Sequence, residues 1–288
     1  MEITASMVKE LRDRTAAGMS DCKTALVESS GDMESAADWL RQKGIVKAAK
    51  KAGRTAASGL VAAVSMDGFA SVIEVNAETD FVAKNEKFQD LVTLIGEQTL
   101  KTRGNFDEVL TNTASEITNT IATIGENMTL RRIASASGDA VFTYVHNTMK
   151  PGMGQIGVAL AINGDKAKLA EIGPKIAMHI AAMKPEFMTI NDVDPMAVER
   201  EKKIFVESGV IAGKPTEIAE KMINGRVQKY YGESVLEEQP FVMDPNKTVK
   251  QVIIENGGIL AGFAMFVLGE GIEKAEDNLA DEVAKLIG

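Results

Sequence analysis

A strand pattern that passes directly into a helical pattern occurs twice in this chain, and it constrains the fold more than any other feature. Residues 70–80 alternate in polarity and then enter a helical stretch, and residues 157–165 repeat that plan. Each copy follows another alternating stretch, at 60–64 and 141–146, so each is expected to close an antiparallel hairpin. The repetition predicts a duplicated α+β core with antiparallel sheets.

Helical periodicity dominates the rest of the chain. Residues 4–54 contain three short helical stretches separated by capping residues and glycines, which predicts a small three-helix domain. A strand is predicted at 130–137 and another at 258–268. Further helices are predicted at 81–101, 106–124, 166–183 with an interruption near Gly173-Pro174, 196–207, 216–230 and 272–287.

These patterns divide the chain of 288 residues into five predicted parts. The short joint between the charged helices 196–207 and 216–230 indicates an antiparallel helical hairpin that is inserted into the second core half. The predicted parts are a three-helix domain at 1–54, a first core subdomain at 55–139, a second core subdomain at 140–185 and 229–265, the inserted hairpin at 186–228, and a C-terminal helical module at 266–288.

The charge balance and the cysteine content limit the classes of partner and compartment. The net charge is −9, which argues against a nucleic-acid binder, and the single cysteine, Cys22, excludes an intrachain disulfide. No apolar run is long enough to span a bilayer, so we expect a cytosolic protein without a membrane anchor. A basic cluster near residue 50 is either a solvated helix end or a contact with an acidic partner, and it comprises Lys43, Lys47, Lys50, Lys51 and Arg54.

Motifs for catalysis, cofactors and metals do not fit their structural contexts. A G-x-G-x-x-G sequence at 152–157 precedes a predicted strand, whereas dinucleotide binding requires a helix there. Residues 209–216 resemble a phosphate loop, but the glycine spacing is one residue short and Pro215 follows the lysine. His146 and His179 lie on different predicted elements. We therefore predict no catalytic residue, no metal and no cofactor, and we do not expect an enzyme.

The corner between the first hairpin and its helix carries Thr79, Asp80, Phe81 and Val82. One interpretation is structural: Thr79 or Asp80 caps the helix, and Phe81 begins a core stripe with Phe88. The other interpretation is that Phe81 points outward and contacts another protein. The local pattern favours the structural interpretation, and it leaves the second one open.

Three separated stretches resemble one protein family. They are VKELRDRTAAGMSDCK at 8–23, ETDFVA at 78–83 and GEGIEK at 269–274, with supporting stretches at 124–127, 178–182, 184–187 and 239–243. In this combination and order, the chain resembles bacterial elongation factor Ts, the family of guanine-nucleotide exchange factors that act on elongation factor Tu. The similarity extends over nearly the whole chain.

The resemblance implies an architecture and a set of contacts. The N-terminal domain is expected to be ubiquitin-associated-like, followed by the duplicated core, the inserted hairpin and a C-terminal helix. The corner of Thr79, Asp80, Phe81 and Val82 is expected to bind elongation factor Tu. Phe81 is expected to insert into the nucleotide-binding domain of that partner, with His146 nearby, while Asp80 disturbs its magnesium site. The resemblance further implies that Arg12 and Met19 contact the same domain, and that the second core half and the closing helix hold other parts of the partner.

Two other classes of function stay open from the sequence. Residues 1–54 resemble a domain that binds peptides or ubiquitin-like proteins, so the chain is also compatible with an adaptor. An α+β core also occurs in enzymes for small molecules, whose sign is a concave apolar pocket with converging titratable groups, but the absence of a fitting catalytic motif argues against an enzyme here.

Overall fold

The computed structural model describes residues 3–15 and 17–273. The described chain is a mixed α+β protein, with helices at the N-terminus followed by antiparallel sheets, as the sequence predicts. The helices are α1 (Ala5–Thr15), α2 (Met19–Glu28), α3 (Met33–Ala49), α4 (Glu86–Lys101), α5 (Phe106–Ile124), α6 (Lys166–Leu169), α7 (Ile172–Met183), α8 (Pro195–Glu207), α9 (Thr216–Ser234) and α10 (Val249–Glu255). The strands are β1 (Ser58–Met66), β2 (Phe69–Ala77), β3 (Met128–Ser137), β4 (Ala140–His146), β5 (Met153–Gly154), β6 (Ile156–Gly164), β7 (Pro240–Phe241), β8 (Asp244–Thr248) and β9 (Gly258–Val267).

The first three helices pack around a small core of their own. Leu11, Cys22 and Leu26 are fully buried at its centre. Asp32 caps α3, because its carboxylate accepts a hydrogen bond from the Ser35 amide at 2.8 Å. Helix α3 also packs against α5, where Gly44 faces Ala122, so the bundle docks on the rest of the protein.

The first sheet has the order β3-β2-β1-β5, and the second has the order β4-β6-β9. Both predicted hairpins are confirmed, because β1 pairs with β2 and β4 pairs with β6 in antiparallel register. The sheets pack face to face, with Val61 and Val72 of the first sheet against Ala159 and Phe266 of the second. Strand β2 is buried along its whole length, since α4 covers the opposite face of its sheet.

Helices α7 and α10 cover the outer face of the second sheet. Ile176, Ile180 and Val249 lie in the same buried cluster as Leu160 of β6. The interruption predicted near Gly173-Pro174 lies two residues earlier, between α6 and α7. Proline is tolerated in the first helical turn, where its missing N–H has no intrahelical partner, so Pro174 does not break α7.

The predicted helical hairpin is present as α8 and α9, which pack against each other. Val198 and Val227 are buried between them, and Arg226 forms an ion pair with Glu201 at 2.9 Å. The predicted closing helix at 272–287 lies outside the described residues from position 274 onward. The proposed domain boundaries stay predictions, including those of the C-terminal module.

Candidate functional site

The link between β2 and α4 is not a simple helix start. A short 3-10 helix, Asp80–Lys84, follows the strand, and Asn85 then returns to extended backbone with φ −76° and ψ 124°. Helix α4 begins only at Glu86. The prediction of one helix from 81 to 101 is therefore wrong at its start, because two helical segments of different pitch share that stretch.

Asn85 supplies the cap that the sequence pattern assigned to Thr79 or Asp80. Its side-chain oxygen accepts a hydrogen bond from the Lys87 amide at 3.0 Å. Thr79 stands at the start of the 3-10 helix, but its side chain makes no capping bond there. The predicted cap residue is thus wrong, and Thr79 is free to bond elsewhere.

Phe81 points away from the protein. Its side chain is 78% exposed, whereas the following residues Val82 and Ala83 are 4% and 5% exposed and belong to the first core cluster. Phe88, which is fully buried, is the aromatic residue of the α4 core stripe. The structural interpretation of Phe81 as a core residue is therefore wrong.

The backbone before Phe81 is held by the loop between α5 and β3. The Thr79 amide donates to Glu126 Oε2 at 2.9 Å, and the Thr79 hydroxyl donates to Glu126 Oε1 at 2.7 Å. In return, the amide of Asn127 donates to Glu78 Oε1 at 2.6 Å. Two adjacent residues on each segment are thus paired, and the corner is fixed on both sides of Phe81: by these bonds before it and by buried Val82 after it.

Asp80 lies on the wall of an open cleft of about 370 Å³. Lys84 lies on the same wall, and Asn147, Met149 and Gln155 line the cleft from the segment that follows β4. Of the described residues that line the cleft, Asp80 and Lys84 are the titratable ones and both are exposed, so no converging set of buried titratable groups lines it.

The segment 147–155 is anchored by a strand that the sequence did not predict. Its last part, β5, pairs with β1, and the Ala63 amide donates to the carbonyl of Gly152 at 3.0 Å. The Gln155 amide donates to the carbonyl of His146 at 3.1 Å. A two-residue strand has no readable period, so the hydrophobic pattern contains no signal for it.

The remaining predicted site residues lie in two places. His146 ends β4 on the surface, with Nδ1 3.3 Å from the Tyr144 hydroxyl oxygen, and the next residue, Asn147, lines the Asp80 cleft. Arg12 is exposed on α1, and Met19, which is 47% exposed, begins α2. Within the described ranges, no hydrogen bond or ion pair joins Arg12 or Met19 to the corner formed by residues 79–82.

His179 is a buried structural residue. Its Nε2 lies 3.0 Å from Gln239 Oε1, while its Nδ1 accepts from the Val242 amide at 3.2 Å, so the neutral ring satisfies both bonds. Burial lowers the pKa of this imidazole, and the bond to Gln239 only partly opposes that effect. Among residues 3–15 and 17–273, no group of three or more His, Cys, Asp or Glu could hold a metal ion. The same residues include no helix with the length and apolar character required to cross a bilayer.

A cluster of charged residues centred on Glu74 of β2 was not predicted from the sequence. This fully buried carboxylate forms ion pairs with Arg131 at 3.0 Å and Arg132 at 2.6 Å, and it accepts a hydrogen bond from the Gly269 amide at 2.8 Å. Burial raises the pKa of Glu74, but the hydrogen bonds from Gly269, Asn76 and the two arginines outweigh burial and hold the pKa below its ordinary value. The only sequence signal was a charged residue within a strand whose neighbours are apolar.

The sequence matches a known family across this site. A family model described as Elongation factor TS matches residues 78–270, which is more than half of the chain. The chain belongs to the elongation factor Ts family. It is 51% identical to elongation factor Ts of Hyphomonas neptunium, with 99% of this chain and 98% of the relative covered. It is 49% identical to the Rhodospirillum centenum protein of the same name, with 100% and 99% covered, and 50% identical to that of Paracoccus denitrificans, with 99% and 98% covered.

Membership of the elongation factor Ts family supports a role as a nucleotide exchange factor in translation elongation. The family match begins at Glu78 and therefore includes the whole 79–82 corner, together with Glu126 and His146. Arg12 and Met19 precede the matched residues, but the full-length relatives cover them.

Proposed function

We propose that this protein binds elongation factor Tu, in its GDP-bound and nucleotide-free forms, and promotes GDP release by disturbing the Mg²⁺ and phosphate site. The observation that carries the proposal is the 78% exposure of Phe81 on a corner whose flanking residues are fixed. Membership of the elongation factor Ts family supports the choice of partner. No direct contact with nucleic acid and no membrane is required.

An exposed aromatic ring on a fixed backbone is suited to insertion into another protein. Full burial of a phenylalanine side chain is favourable by about 1.5–3 kcal/mol relative to exposure. The backbone of Phe81 is already ordered by Thr79 and Val82, so binding orders few further groups and more of the gain is available to the complex. Phe81 is therefore the wedge in the proposed mechanism.

Asp80 supplies the electrostatic part of the mechanism. Magnesium requires near-ideal octahedral oxygen ligands and bridges the phosphates, so a small displacement of its ligands weakens the hold on GDP. Asp80 is exposed next to Phe81, and its negative charge disfavours nearby phosphate oxygens. The exchange itself needs no covalent step: this protein drives GDP release to the extent that it binds elongation factor Tu more tightly without nucleotide than with it.

The other predicted site residues act as supporting contacts. His146 immediately precedes Asn147, which lines the same cleft as Asp80, and this supports a contact of His146 with the same region of the partner. Arg12 and Met19 are exposed on the three-helix bundle, and they extend the contact with the nucleotide-binding domain. Thr79 and Val82 hold the corner rather than contact the phosphates.

The test is the release of labelled GDP from purified elongation factor Tu with and without this protein. Phe81→Ala is expected to slow the catalysed release about tenfold or more, because about 1.4 kcal/mol of lost interaction corresponds to a factor of ten. Met196→Ala is the matched control, since Met196 is 77% exposed on the helical hairpin, and it is expected to leave the rate unchanged. Both variants are expected to keep the wild-type melting temperature.

A wild-type release rate for Phe81→Ala would refute the proposal. Equal slowing by both variants would also count against it, because the effect would then follow loss of exposed apolar surface in general. A large loss of stability in Phe81→Ala, but not in Met196→Ala, would show that Phe81 packs within the protein and would contradict its proposed role as a wedge.

A further inference from the structure

We propose that Glu126 is a positioning residue for exchange, because its carboxylate holds the backbone that presents Phe81. The inference rests on the proposed function of the 79–82 corner, and it assigns to a residue 47 positions away a role in that function. Both carboxylate oxygens of Glu126 accept hydrogen bonds from Thr79, so the role argued for Glu126 acts through Thr79.

The two bonds from Thr79 to Glu126 replace partners that the local backbone lacks. Strand β2 ends at Ala77, whose partners are Ser58 of β1 and Met128 of β3, so the ladder stops before Thr79. The 3-10 helix that follows has no side-chain cap. Glu126 therefore satisfies an amide donor and a hydroxyl donor that nothing else in the corner occupies.

Glu126 is itself held in place, so it can act as a fixed acceptor. It follows Gly125, which ends α5 in the left-handed conformation with φ 91°. The next residue, Asn127, is 4% exposed, and its side-chain amide donates to the carbonyl of Arg54 at 2.7 Å. Lys51 also donates to the carbonyl of Gly125. The loop between α5 and β3 is thus tied to both the corner and the linker that precedes β1.

The position of these bonds determines what their loss does. Thr79 lies two residues before Phe81, whereas Val82 and Ala83 anchor the chain after it. Without Glu126, Thr79 loses both of its bonds, and the corner keeps Glu78, which is bonded to the Asn127 amide, as its nearest upstream anchor. The chain between Glu78 and Val82 is then less constrained, so the ring of Phe81 is presented over a wider range of positions. Val82, Ala83 and the α4 core stay packed, so we expect a loss of exchange activity without a comparable loss of global stability.

The experiment compares two substitutions of Glu126 in the full-length protein by labelled GDP release. Glu126→Ala removes both acceptors and is expected to slow release on the order of tenfold. Glu126→Gln removes the charge but keeps an oxygen for the Thr79 amide, and its amide group can donate to the Thr79 hydroxyl. We therefore expect Glu126→Gln to release GDP within about twofold of wild type.

Two further readouts separate positioning from a general structural effect. In the Phe81→Ala background, Glu126→Ala is expected to cause no additional slowing, because the two residues act through the same contact. Hydrogen exchange at the Thr79 amide is expected to accelerate in Glu126→Ala, while the amides of α4 keep their protection. Thr79→Val, which removes only the hydroxyl donor, provides a milder variant that carries the test if Glu126→Ala does not fold.

The outcomes distinguish this inference from the function on which it depends. If Phe81→Ala slows release but Glu126→Ala and Thr79→Val do not, the positioning role is overturned and the proposed function stands. If Glu126→Gln is as slow as Glu126→Ala, the charge itself acts and positioning is again overturned. Additive slowing in the double variant also contradicts the inference, whereas a wild-type rate for Phe81→Ala alone refutes the proposed function.

Discussion

Replacing Glu74 with glutamine tests whether the buried charge cluster joins the two sheets. Glu74 lies in β2, and its carboxylate contacts Arg131, Arg132 and the amide of Gly269, which follows β9. Arg132 also donates to the carbonyl of Val267 at 3.1 Å. The cluster therefore links the first sheet to the end of the last strand of the second sheet.

The expected cost follows from the burial of the carboxylate and the partial exposure of its partners. Glutamine keeps one acceptor oxygen, but its amide places a donor against an arginine donor and removes the negative charge. Breaking a buried ion pair by removing one partner costs about 3–5 kcal/mol. Because the side chains of Arg131 and Arg132 are 26% and 29% exposed and can gain water, the lower limit applies, about 3 kcal/mol.

Thermal unfolding monitored by circular dichroism measures this cost. A loss of about 3 kcal/mol corresponds to a fall in Tm of about 6–12 °C for a protein of this size class. The matched control is Glu171→Gln, which removes an ion pair to Lys175 of similar length, 2.8 Å, on a carboxylate that is 87% exposed. We expect no measurable change in Tm for the control.

The pH dependence provides an independent check on Glu74. Its pKa is lower in the folded protein than in the unfolded chain, so its contribution is complete above the unfolded value of about 4.3 and is lost as the pH falls below it. The difference in Tm between wild type and Glu74→Gln is thus expected to shrink on acidification from pH 5. A fall in Tm for Glu74→Gln no larger than for Glu171→Gln would refute the reasoning.

Two further substitutions test other parts of the fold. Burial lowers the pKa of His179, so the unfolded chain binds a proton more readily and the free energy of unfolding is expected to fall as the pH drops below about 6.5. In His179→Gln, this fall in the free energy of unfolding should be absent when urea unfolding is measured between about pH 7 and 5. Asn85→Ala removes the cap of α4 and is expected to cost about 1 kcal/mol in urea unfolding, whereas Asn85→Asp, which keeps the acceptor oxygen, should cost much less.

The elements that sequence predicted best are those whose period is sustained and whose ends carry local signals. The sequence pattern predicts a helix at 106–124, and α5 has those bounds, with Asn105 as its cap and Gly125 in the left-handed conformation after it. The hairpin of β1 and β2 turns at Asp67 and Gly68, a local signal of the same kind. Because capping and turn chemistry act over a few residues, a single sequence contains enough information to identify them.

Features that depend on distant segments were not predictable in the same way. Strand β5 forms because the segment after His146 reaches the edge of β1, about ninety positions earlier in the chain. Gly157 provides a second example: a Cβ at that position would lie 2.6 Å from Val61 Cγ1, so the glycine permits the close approach of the two sheets. Glu74 likewise has partners that are 57 to 195 positions away. The hydrophobic periodicity of a single segment contains no signal for contacts between residues so far apart in the chain.

The helical period between Phe81 and Phe88 assigns Phe81 to the core-facing side, although the structure places its side chain in solvent. In one continuous α-helix, residues 81 and 88 are seven positions apart, which is close to two turns, so both rings would share a core-facing stripe. The segment Asp80–Lys84 is instead a 3-10 helix with about three residues per turn, so Phe81 and Lys84 lie on one face while Val82 and Ala83 face the core. The extended backbone at Asn85 then resets the phase before Phe88. Because the pitch changes between this 3-10 helix and α4, the helical period does not predict the side on which Phe81 lies. The same change of pitch places the aromatic ring in solvent, where the proposed contact with elongation factor Tu requires it.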